Sequence, residues 1–159
     1  MREALDESSL AQAIRSEGGE QGVRVLVALA RLAAEGGELG AKVLAPLAAA
    51  EEWLACPCSE HAARCAELAS RPVPDDEIPR GRDPSAKAAA AAAHLRRSAT
   101  LVAASAAQAA SIASDPKCVD LVVGLARRGF ASFVDARARA LAHRRPTPAA
   151  LAAMASIVL

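Results

Sequence analysis

The stretch Val23, Val25, Leu26, Val27, Leu29, Ala30, Leu32, Ala33 and Ala34 leaves room for only a narrow polar strip of Arg24, Arg31 and Glu35. At helical spacing, that pattern predicts a helix over 22–35 that is apolar around most of its circumference. Such a helix is packed by several neighbours. A second arc passes through Val119, Val122, Val123, Ala126, Phe130, Phe133, Val134 and Leu141, with Lys117, Asp120, Arg128, Asp135 and Arg139 opposite. It predicts an amphipathic helix over 116–144. The complete reading places helices at 7–17, 22–35, 39–55, 59–70, 84–114, 116–144 and 148–158.

Glycine and proline punctuate these segments. Gly18-Gly19 and Gly36-Gly37 end the first two, and Pro46 is expected to interrupt or restart the third. Residues 71–85 hold Pro72, Pro74, Pro79 and Pro84 with Asp75, Asp76 and Gly81, and read as a loop between an N-terminal helical half and the two long helices. Asp83-Pro84, Asp115-Pro116 and Thr147-Pro148 each set a capping side chain before a proline at the first helical position. The short break at Ser114-Asp115-Pro116 predicts that the two long helices, each about 45 Å at 1.5 Å per residue, form an antiparallel hairpin. The fold class that results is all-α: one domain over 1–159, an alanine-rich bundle of six or seven helices with a long C-terminal hairpin. No fixed-period repeat points to a solenoid.

Composition sharpens that picture. Alanine supplies 43 of the 159 residues, aromatics only 2%. Alanine favours helix over strand, and small side chains predict close helix approach with few large anchors. The net charge of +1 excludes a general polyanion binder. The distribution is uneven: 5 basic and 9 acidic residues over 1–56, 7 and 7 over 57–115, 7 and 2 over 116–159. A basic C-terminal surface carrying Arg128 and Arg139 is therefore a candidate site for an acidic protein partner. Nucleic acid is not expected, because the basic residues are dispersed and no aromatics interleave with them.

One segment concentrates chemistry. Cys56, Cys58, His61 and Cys65 fall within ten residues, and in a helix beginning near Cys58 the spacing i, i+3, i+7 puts Cys58, His61 and Cys65 on one face. The first reading packs the cysteines as small apolar core residues, with His61 at the rim. The alternatives are a zinc site of three thiolates and one imidazole, or a redox pair of Cys56 or Cys58 with Cys65. Against zinc stand the unpaired spacing, the strain of drawing four ligands from one segment, and Pro57, which restricts how Cys56 folds back. Cys118 is read as packing. His94 shares a face with Leu101, Ser105 and Ile112 and is expected to be a satisfied histidine near the core. Arg137 lies on the apolar arc and needs either a carboxylate, with Glu51, Glu52 and Glu67 as candidates, or solvent.

Enzymatic motifs are missing from the sequence. There is no Glu-x-x-His pair of the di-iron type, no Gly-x-Ser-x-Gly elbow and no phosphate loop. Asp75-Asp76-Glu77 lacks calcium-loop spacing. In size, helical composition and lack of a catalytic motif the chain is similar to small helical immunity proteins of bacterial toxin systems, with which it shares no motif. The expectation is a non-catalytic protein that binds another protein as an immunity, adaptor or regulatory factor. No cofactor is expected unless the cysteine segment takes zinc. The charged start Met1-Arg2-Glu3 is unlike a signal peptide, and no run suits a membrane span. The expected setting is the cytoplasm, with reduced thiols.

Overall fold

The computed structural model describes residues 7–34, 41–72 and 78–140. Within them the chain forms six α-helices and no strand: α1 Glu7–Glu17, α2 Gly19–Ala34, α3 Ala41–Ala55, α4 Ser59–Ala69, α5 Pro84–Ile112 and α6 Val119–Ala140. The six helices pack together around α5, which touches α2, α3, α4 and α6. The predicted segment 148–158, its Thr147-Pro148 start and Leu141 lie outside the described residues.

The centre of the bundle is a surface of methyl groups. The buried positions of α5 are Ala93, Ser98, Ala99, Thr100, Val102, Ala103, Ala106, Ala107, Ala109 and Ala110. At 100° per residue they cover well over half of the helix circumference. Its two buried hydroxyls are satisfied: Ser98 meets Ser132 of α6 at 3.2 Å, and Thr100 donates back to the Arg96 carbonyl at 2.8 Å. Larger side chains fill the space from outside α5. Trp53 of α3, Phe133 of α6, and Leu26 and Leu29 of α2 are all essentially inaccessible. The Trp53 indole N–H and the Arg137 Nε are buried without a hydrogen-bond partner.

Helix boundaries follow local chemistry. Gly18 adopts φ 99, and its N–H bonds the Ile14 carbonyl at 2.8 Å, so it closes α1 in the left-handed conformation that glycine takes without penalty. The chain re-enters helix at once, so α2 begins at Gly19 rather than at 22. Asp115 accepts from the Lys117 N–H at 2.9 Å and caps a single 3-10 turn, Pro116–Cys118, that leads into α6. Asp83 precedes Pro84 as expected, but its carboxylate accepts from the Ser85 hydroxyl at 2.5 Å instead of capping the backbone. That hydrogen bond holds the Asp83 carboxyl below its usual range.

Three expectations are corrected. Pro46 does not break the third segment, because α3 runs through it. The proline forfeits its own bond to the carbonyl of residue 42, and the burial of Leu47, Ala49, Ala50 and Trp53 just after it holds the helix together. Val134 is 39% exposed rather than part of the core, while Leu125 and Ala136 are buried instead. The apolar arc of α6 is thus rotated towards Leu125. Arg137 meets none of its candidate carboxylates, since Glu51 is taken by Arg31 and Glu67 by Arg71, and Glu52 is exposed.

Close approach of α2 and α6 makes a sharp stability prediction. A Cβ added at Gly22 would overlap Cγ1 of Val122, whereas one added at Gly124 meets nothing within 4 Å. Gly22→Ala should destabilise by roughly 1–3 kcal/mol through overpacking, more than the gain of up to about 1 kcal/mol in helix propensity. Gly124→Ala has only the propensity gain and should stabilise. Ala106→Leu and Ala126→Leu, at fully buried positions, should each cost about 1–3 kcal/mol. Urea denaturation of the four variants checks the signs.

Candidate functional site

The connection between α3 and α4 is short: Cys56, Pro57 and Cys58 carry the chain from one helix to the next. The Cys56 N–H still bonds the Glu52 carbonyl at 3.0 Å, so Cys56 completes the last turn of α3. Its own carbonyl accepts the Cys58 N–H at 2.8 Å. That i to i+2 bond closes a three-residue turn of the γ type around Pro57, whose ring holds φ near the value the turn requires. Cys58 then sits at the N-cap of α4, with φ −121 and ψ 164, and its carbonyl accepts the first bond of the helix from Ala62 at 3.0 Å.

This turn gathers two thiols and one imidazole. The ligand atoms of Cys56, Cys58 and His61 all lie within 4.8 Å of one another, so the three residues could hold a metal ion. His61 Nδ1 stands 3.2 Å from the Cys58 sulfur and 2.9 Å from the Cys56 carbonyl oxygen. The carbonyl can only accept, which puts the proton on Nδ1 in this arrangement. Cys56 is exposed, and Cys58 and His61 are half-buried. Burial therefore does not account for Cys56, whose place before Pro57 at a helix end leaves it exposed.

The environment separates the thiols. The His61 backbone N–H, in the first turn of α4, faces the Cys58 sulfur and holds its pKa below the ordinary thiol value, assisted by Cys56 and the imidazole. The neighbouring Cys58 thiol pushes Cys56 up, and Glu60 adds to the rise. The Cys56 carbonyl raises the His61 pKa, against a smaller opposing effect of burial.

Cys65 does not join the group. It is fully buried in the core beneath α4, and burial pushes its thiol up. It shares a face with Cys58, but seven residues at 1.5 Å place it about 10 Å further along the helix. For Cys65 the packing reading fits. Cys118 is half-buried, with its sulfur 3.8 Å from an Asp115 carboxylate oxygen.

The remaining candidates stand apart. His94 is half-buried on α5 and makes no hydrogen bond to a described residue. It lines a cleft of about 300 Å³ with Ile78, Arg97, Asp135 and Arg139. Arg139 pairs with Asp135 at 3.0 Å. Arg128 is exposed and makes no ion pair among the described residues. The apolar arc read from the sequence omits Leu121, which is 61% exposed on the same helix. Its spacing of seven from Arg128 is the signal that could have found it. Compared with protein-family models, curated proteins and solved structures, the chain matches none.

The thiol environments predict an order of alkylation. The reactive species is the thiolate, so a lowered pKa moves the rise of the rate with pH to lower pH, and a raised one moves it higher. As pH is increased from about 6 to 10, Cys58 should react with iodoacetamide first and Cys56 later. Cys65 should react only on unfolding. Peptide mass spectrometry after timed quenching reads the order, and earlier modification of Cys56 than of Cys58 would contradict it.

Proposed function

We propose that the protein acts without catalysis by binding another protein, as an immunity, adaptor or regulatory factor, and that the outer face of α6 is its docking surface. The observation that carries this reading is the stripe Leu121, Arg128, Asp135 and Arg139, residues that share one side of α6 at 100° per residue. Leu121 is 61% exposed, the most exposed of the large apolar side chains among the described residues. Gly124 and Ala131 lie beside it and leave a shallow depression of about 370 Å³ bordered by Arg127 and Arg128. An apolar knob, an adjoining depression and an uncommitted guanidinium fit a partner that brings carboxylates around a small apolar contact. Arg139 is the weaker half of the expected pair, because Asp135 already neutralises it. No helix among the described residues is long and apolar enough to cross a membrane, and the reading places the protein in the cytoplasm.

A second reading rests on a different observation. The convergence of Cys56, Cys58 and His61 favours a zinc site, without Cys65 and separate from the docking surface.

The docking surface is tested by placing a photo-crosslinking residue at position 121 and, as control, at the exposed position 88, then identifying the protein captured and purifying it. Capture from 121 but not from 88 is expected. Arg128→Glu should slow association with that purified partner by roughly tenfold at low salt and flatten its salt dependence. Equal association rates for the variant and the parent would remove the proposal.

A further inference from the structure

We infer that Cys56, Cys58 and His61 form a three-ligand zinc site whose fourth coordination position is open to an external thiolate; this rests on the zinc reading above. Zinc bonds thiolate sulfur at about 2.3 Å and imidazole nitrogen at about 2.0–2.1 Å, so ligand atoms around one ion stand roughly 3.5–4 Å apart. The Cys58 sulfur and His61 Nδ1 are already 3.2 Å apart, and the whole group spans no more than 4.8 Å. Small side-chain rotations therefore suffice to seat the ion. The backbone need not move, because the proline turn and the first turn of α4 fix all three Cα positions.

Binding has a defined proton balance. His61 Nδ1 must give up the proton it shares with the Cys56 carbonyl, and the neutral ring then carries its proton on Nε2. The two thiols lose their protons to solvent. Two thiolates neutralise the dication, and the ring adds no charge.

The fold itself denies the ion a third protein thiolate as its fourth ligand: neither Cys65 nor Cys118 belongs to the group. Cys65 is about 10 Å along α4 and fully buried. Glu52 and Glu60 are near enough for their charges to be felt at His61 and Cys56, yet their oxygens lie outside the group. Around the site Ala55, Cys56, Pro57, Ser59 and Glu60 are exposed, which leaves the outward side of the ion to solvent. Three protein ligands with an accessible fourth position is the arrangement of zinc sites that exchange ligands rather than only hold structure. With two sulfurs in the set, a soft external donor such as a thiolate is preferred to water.

The test uses the full, reduced chain. Zinc is titrated against a chromophoric chelator, and cobalt(II) is substituted as a spectroscopic reporter. One equivalent should bind, with sulfur-to-cobalt charge-transfer absorption. Cys56→Ser, Cys58→Ser and His61→Gln should each weaken binding at least tenfold, with helical circular dichroism unchanged. Cys65→Ala and Cys118→Ala should leave it as in the parent. Adding 2-mercaptoethanol to the cobalt form should shift the spectrum, in the Glu52→Gln and Glu60→Gln variants as well. Failure of the parent to bind zinc would sink the zinc reading altogether. Zinc bound with one equivalent but lost in Cys65→Ala, or a cobalt spectrum indifferent to added thiol, would leave zinc standing and overturn the three-ligand open site.

Discussion

Four helices can surround α5 because its buried surface is mostly alanine, with no side chain larger than valine. A leucine-lined central helix would hold its neighbours further away, and a helix with one apolar stripe would be left with a polar side facing another helix. Alanine does neither. It is apolar on every side, carries no rotamer entropy to lose, and strongly favours helix. Side-chain volume must then come from elsewhere, and it does. Trp53, Phe133, Leu26 and Leu29 reach inward from three other helices. Glycine takes the same principle further where Gly22 of α2 receives Val122 of α6. The bundle depends on this division between a thin central helix and bulky neighbours. Dense packing makes each small residue in it sensitive to enlargement.

Much of this was legible because its signals are local. Proline after aspartate marks the start of α5 and of the turn before α6, and glycine with a positive φ marks the end of α1. Each acts through its own backbone, so sequence alone carries it. Pro46 misleads for a different reason: it costs one helical bond wherever it stands past the first turn, and the tertiary packing that outweighs this cost is not local. The orientation of α6 is harder to read. Periodicity bounds an apolar arc, but its edges are set by which neighbour covers them. Leu125 and Ala136 are covered, and Val134 is left out. Arg137 shows the same limit, since Glu51 and Glu67 are already paired with other arginines.

The cysteine segment was legible as a cluster but not as a geometry. Counting faces at 100° per residue groups Cys58, His61 and Cys65, and that count is right about direction. It ignores rise. Residues seven apart point the same way from places about 10 Å apart, whereas ligands of one ion must nearly touch. In the sequence Pro57 argues against Cys56 as a ligand, yet the proline is the reason the two thiols meet. It closes the turn that folds Cys56 back over the start of α4.

Three cysteines within ten residues thus acquire different chemistries without any change of residue type. Cys65 lies in the core, where desolvation disfavours the thiolate and leaves a small apolar filler. Cys58 stands at a helix N-terminus, where a backbone N–H favours the thiolate. Cys56 lies outside, and the nearby Cys58 thiol raises its pKa. The buried thiol fills the core, whereas Cys56 is exposed and Cys58 half-buried, so that pair can be altered with less effect on packing. Stability and chemistry are carried by different members of one segment, divided at the first turn of α4. That division lets a reactive, solvent-facing group sit directly on the bundle: the helix that positions Cys58 and His61 is anchored by Cys65 two turns below.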